Sequence, residues 1–82
     1  MIEPQSLRAF LESKLPGAVI AVNDMTGTRD HFEIEVVSDT FEGQATLERH
    51  RRMHEVLAPL MDNAVHAVRL RTRTPREKEK AR

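Results

Sequence analysis

The apolar residues of this chain switch between a helical and a strand-like spacing three times, and each switch marks the edge of an element that must pack against the others. Leu7, Phe10, Leu11 and Leu15 recur at helical spacing behind Pro4, which suits a first helical turn, until Leu15-Pro16-Gly17 stops the run. Ala18 to Asn23 is a short β-branched run, and His31 to Ser38 sets Phe32, Ile34 and Val36 against Glu33 and Glu35 with a period of two. The connection Asp24 to Asp30 is polar and contains Gly27, which predicts an antiparallel hairpin with a long tip. After a turn at Phe41-Glu42-Gly43, apolar positions 47, 53, 56, 57, 60 and 61 return to the helical period, with Pro59 expected to kink this helix or to start a second, shorter one. Ala64 to Arg73 alternates again, Val68 and Leu70 opposed to Arg69, Arg71 and Arg73. Thr74-Pro75-Arg76-Glu77 joins a Thr cap, Pro at the first helical position and Glu three residues after the cap, the capping-box pattern of a last helical turn.

The order α-β-β-α(α)-β-α predicts an α/β, two-layer fold. The helical crossover makes the second and third strands a right-handed parallel pair, and the hairpin adds an antiparallel neighbour, so the three-stranded sheet is mixed. Helices cover one face, over Phe32, Ile34, Val36, Val68 and Leu70. The other face places Glu33 and Glu35 beside Arg69, Arg71 and Arg73, an ordinary cross-strand pairing that contributes about 0.2 to 1 kcal/mol per pair. With 82 residues the chain has room for one core and one domain.

Composition narrows the chemistry. There is no cysteine, which removes disulfides, thiol nucleophiles and any thiolate metal site built from this chain alone. No apolar run approaches the roughly 20 residues that span a bilayer, and Met1 to Phe10 lacks a basic segment followed by an apolar one, so a soluble, cytoplasmic protein without membrane contact is expected. The formal charge is zero but lopsided: residues 1 to 48 carry nine acids and three bases, residues 49 to 82 ten bases and four acids. Such a split fits either an anionic partner for the basic half or mutual neutralisation on folding.

Val36-Val37-Ser38-Asp39-Thr40-Phe41-Glu42-Gly43, Leu47-Glu48-Arg49-His50-Arg51 and Val65-His66-Ala67-Val68, followed by Thr74-Pro75, resemble in order and spacing the running signature of the BolA family. The resemblance covers nearly the whole chain. It implies a KH-like (class II) fold over residues 1–76, with 77–82 as a charged C-terminal tail, and a non-enzymatic adaptor. Two themes come with it: partnership with a monothiol glutaredoxin in iron–sulfur cluster trafficking or iron sensing, and DNA-binding transcriptional regulation. The cofactor implied is a 2Fe-2S cluster shared with the glutaredoxin and glutathione, with none held by the protein alone; a homodimer of the apo-protein is left open. In the family, a His at the position of His66 ligates the cluster and the loop between the first two strands supplies a second ligand, Cys or His. This loop has no Cys and its nearest imidazole is His31. The metal set is therefore His66 with His31, or His66 with solvent, a partner group or another residue of the Asp24 to Asp30 loop.

The residues themselves bear on these themes. Parallel second and third strands bring their N-terminal ends, and with them His31 and His66, to one pole of the sheet. Imidazole suits iron and replaces Cys on one iron of a two-iron cluster, but two imidazoles leave the site incomplete, so the missing thiolates must come from a partner. His50 and His54 share a helix face at i, i+4, yet Arg49, Arg51 and Arg52 beside them disfavour a cation, and no metal is assigned there. Arg49, Arg51, Arg52, Arg69, Arg71 and Arg73 are the candidate phosphate contacts for weak, poorly specific DNA binding. RNA binding of the KH kind is disfavoured, because Ala58 to Asn63 lacks the GxxG loop. For a hydrolase the only triad-like residues are Ser38 and Asp39 with a remote His, and these two are better read as turn formers.

Overall fold

The computed structural model describes residues 2–27, 31–61 and 67–80. Helix α1 (Pro4–Lys14) starts with Pro at its first turn and buries Leu7 and Leu11. Gly17 adopts a left-handed φ of 84°, which lets the chain reverse after Leu15-Pro16 into strand β1 (Val19–Asp24). β1 and β2 (His31–Val37) form the antiparallel hairpin, and the Asp24 carboxylate accepts a hydrogen bond from Gly27 N–H at 3.0 Å to start its turn. A single 3-10 turn, Asp39–Phe41, capped by the Ser38 hydroxyl, leads to helix α2 (Thr46–Met61). Strand β3 (Ala67–Arg73) and helix α3 (Pro75–Lys80) follow.

The sheet order is β1-β2-β3, with β2 central, antiparallel to β1 and parallel to β3. This is the mixed sheet and the element order expected. Phe32, Ile34 and Val36 from β2 join Leu7, Leu11, Ile20, Phe41, Met53 and Leu57 in one buried core, with Val68 and Leu70 partly buried against it.

One expectation for α2 changes, and of the two readings of Pro59 a helix that begins at the proline is not seen. Leu47, counted among its apolar stripe, is 61% exposed, because the inward stripe begins a turn and a half later at Met53. Pro59 causes no break before Met61: it lies in the last turn, where its missing N–H removes only one helical hydrogen bond. The stretch 62–66, where a second helix was the alternative, lies outside the described residues.

Both later helices are started by glutamates reaching backwards. Glu48 accepts from Ala45 N–H at 3.2 Å. At α3 the exchange is reciprocal, Thr74 N–H donating to Glu77 at 2.9 Å and Glu77 N–H donating to the Thr74 hydroxyl at 3.1 Å, the capping box read from the sequence. α3 therefore runs across the expected boundary at residue 76, and Glu77 and Lys78 are bound to the body of the fold.

Candidate functional site

The parallel pairing of β2 and β3 sets the first candidate site. Its register begins with His31 opposite Ala67, both at the N-terminal ends of their strands. Ala67 is the residue that follows His66 in the chain; His66 itself lies outside the described residues. His31 is half-buried, and its carbonyl accepts from Met25 N–H at 2.9 Å, extending the hairpin by one rung. Among the described residues no group of three or more His, Cys, Asp or Glu is placed to hold a metal, the His50 and His54 helix face included.

The six candidate arginines do not form one surface. Arg49 is the exception to the expected exposed set: it is 7% exposed, its guanidinium donating to the Glu77 carboxylate at 2.7 and 3.1 Å, to Gln44 carbonyl at 2.9 Å and to Thr72 carbonyl at 3.3 Å. That network joins α2, β3 and α3, and leaves no free donor fork for a phosphate. Arg51 and Arg52 are exposed on α2, on the covered side of the sheet. Arg69, Arg71 and Arg73 alternate with the core-facing residues of β3 and so lie on the open face, in register with Glu33, Glu35 and Val37.

On that open face charge is largely matched. Arg69 lies 4.0 Å from Glu33 and Arg73 3.9 Å from Glu35, while Lys78 of α3 donates to Glu35 at 2.8 Å. The Lys78 hydrogen bond is the main reason the Glu35 carboxyl titrates below its ordinary range, against the opposing effect of partial burial; Arg73 and Arg71 add to it. Glu77 is held lower still, at about 2, first by the hydrogen bond from Arg49 and then by that from Thr74 N–H, and Arg49 is raised in turn. The capping box revealed Glu77 as a cap, but its partner 28 residues away left no sequence signal.

Comparison with known proteins then decides the family. The family model for BolA-like proteins matches residues 1–77. This chain belongs to the BolA family. It is 35% identical over 77 residues to BolA-like protein 1 of Mus musculus, an alignment covering 85% of this chain and 56% of the mouse protein, so the chain spans just over half the length of that relative. It is 40% identical over 57 residues to the DNA-binding transcriptional regulator BolA of Escherichia coli, covering 70% of this chain and 54% of that one. Among solved structures, a BolA protein homologue from Coxiella burnetii superposes with a TM-score of 0.83 at 32% identity, covering 96% of this chain and 99% of the other. The BolA assignment and the mixed three-stranded sheet thus agree, and no described helix is long and apolar enough to cross a membrane.

Proposed function

We propose that this BolA-family chain is a non-enzymatic adaptor that binds a monothiol glutaredoxin and shares a 2Fe-2S cluster with it and with glutathione, in cluster trafficking or iron sensing. The observation that supports this most is the strand register that starts at His31 on β2 and at Ala67 on β3, directly after the family's ligand position His66. The donor chemistry is consistent with a shared cluster. Imidazole takes the place of thiolate on one iron, and a cysteine-free chain needs a partner's thiols for the other. The test is anaerobic mixing with a glutaredoxin, glutathione, iron and sulfide, followed by visible absorption and size analysis. A coloured heterodimer, with the protein alone colourless, is expected; a colourless mixture of separate proteins rejects the reading.

Direct DNA contact is the second reading, favoured by the name of the E. coli relative and by Arg51 and Arg52, which are exposed and have no carboxylate partner among the described residues. Binding of this kind is weak and poorly specific, because Glu33 and Glu35 occupy part of the open-face arginine row. Affinity should fall by roughly 0.9 log units per log unit of salt for each phosphate contact. Replacing Arg51 and Arg52 together should flatten that slope more than replacing Arg69 and Arg71. Absence of binding at low ionic strength rejects it.

A further inference from the structure

The sheet has a second pole. Where β2 ends at Val37, about 20 Å along the strand from His31, Ser38 and the 3-10 turn meet the end of α1 and the outer side of α2 around a cavity of about 310 Å3. Lys14 and Arg52 border it from the two helices, Thr40 and Gln44 from the intervening turn, and Phe41 and Leu15 supply apolar wall. No carboxylate lines it among the described residues, although Asp39 and Glu42 lie in the same turn. Its two cations come from different halves of the chain, Lys14 from the acidic first half and Arg52 from the basic second.

The polar groups here are donors with capacity to spare. Arg52 makes no ion pair within the described structure, in contrast to Arg49 one helical turn before it. Lys14 has the Phe10 ring at 5.7 Å and no carboxylate partner among the described residues, and it sits at the end of α1, where its charge offsets the helix's negative pole. Ser38 Oγ accepts from Thr40 N–H at 3.2 Å and lies 2.8 Å from Thr40 Oγ1. With Ser38 donating in that second contact, the Thr40 hydroxyl proton is left for a ligand. An ammonium, a guanidinium, an amide and a hydroxyl around one hollow match a group with several anionic oxygens. The hollow is at the lower end of the roughly 300–1,000 Å3 typical of small-molecule sites, and its apolar wall has no use for a bare ion.

We infer that the cavity between Lys14, Thr40, Gln44 and Arg52 binds a small organic molecule through a phosphoryl group, at the sheet pole opposite His31. This site is independent of the cluster reading. The test follows backbone amide NMR of the full chain during titration with phenyl phosphate, with inorganic phosphate, and with sodium chloride at matched ionic strength. Phenyl phosphate should shift Thr40, Phe41 and Gln44 saturably and bind more tightly than inorganic phosphate. Arg52→Gln should weaken it by roughly fivefold or more, as loss of one charge-assisted contact does, while Arg51→Gln, one residue away but outside the cavity, should leave it unchanged. Equal weakening by both variants, or chloride shifting the same amides equally, means diffuse surface charge and overturns the site. Inorganic phosphate binding as tightly as the ester overturns the organic ligand.

Discussion

Arg49 on α2 and Glu77 on α3 meet in a two-pronged ion pair, at 2.7 and 3.1 Å, and the same guanidinium also holds the Gln44 and Thr72 carbonyls. α3 buries no described residue of its own, and this pair, the Lys78–Glu35 contact and the buried Thr74 cap tie it to the fold. Arg49→Ala should cost about 1 to 3 kcal/mol, from hydrogen bonds to a charged group lost inside the fold. Thermal unfolding should move down by roughly 4–8 °C per kcal/mol in a domain of this size. Arg49→Lys should fall between, since a lysine keeps the charge without the fork. An Arg49→Ala protein as stable as the parent would show that the network contributes nothing.

Acid should weaken the protein through the same pair. Glu77 titrates at about 2 in the folded chain, against about 4.3 for a glutamate in an unfolded one. A folded value below the unfolded one means the folded state binds fewer protons between them, so the contribution is complete above about pH 5 and is lost as pH falls towards 2. Glu35, also lowered, acts in the same direction. Urea midpoints measured from pH 7 to pH 2 should decline, and Glu77→Gln, which can still cap Thr74 N–H, should decline less steeply. Parallel curves for the two proteins reject this account.

Core and rim of the helical layer should separate cleanly. Ile34→Ala removes a fully buried side chain from the central strand and should cost about 2 to 5 kcal/mol. Leu70→Ala, at a half-buried position on the neighbouring strand, should cost less. Leu47→Ala, mostly in solvent, should lie within ±0.5 kcal/mol of the parent. Denaturant midpoints rank the three, and a Leu47 cost matching that of Ile34 contradicts the described core.

The cluster reading makes its own demand on the histidines. His66→Ala should change the spectrum of the glutaredoxin heterodimer or shorten the life of its cluster, while the apo-protein keeps its circular dichroism. His31→Ala does likewise if His31 is the second ligand, and leaves the spectrum alone if solvent or a partner group takes that place. The pair His50→Ala and His54→Ala should be silent. A His66 variant whose heterodimer matches the parent in spectrum and lifetime removes His66 from the ligand set.

Periodicity was enough to read the order of elements, the hairpin, the parallel crossover and the inward face of β2, because each is written in neighbouring residues: Phe32, Ile34 and Val36 alternate with glutamates, and Thr74 meets its cap partner three positions away. His66 was legible for a different reason, its place in a family motif, and His31 only as the imidazole nearest the loop that lacks a cysteine; the strand register then put His31 opposite Ala67. What only the tertiary structure decided are the pairings between residues far apart in the chain. A row of arginines reads as one class in sequence. Folding divides it into Arg49, which is buried and bound to Glu77, Arg69 and Arg73 beside glutamates on the open face, and Arg52 on a cavity wall. Charge carries no period that reveals its partner, because an ion pair depends on where two elements come together and not on the spacing within either one.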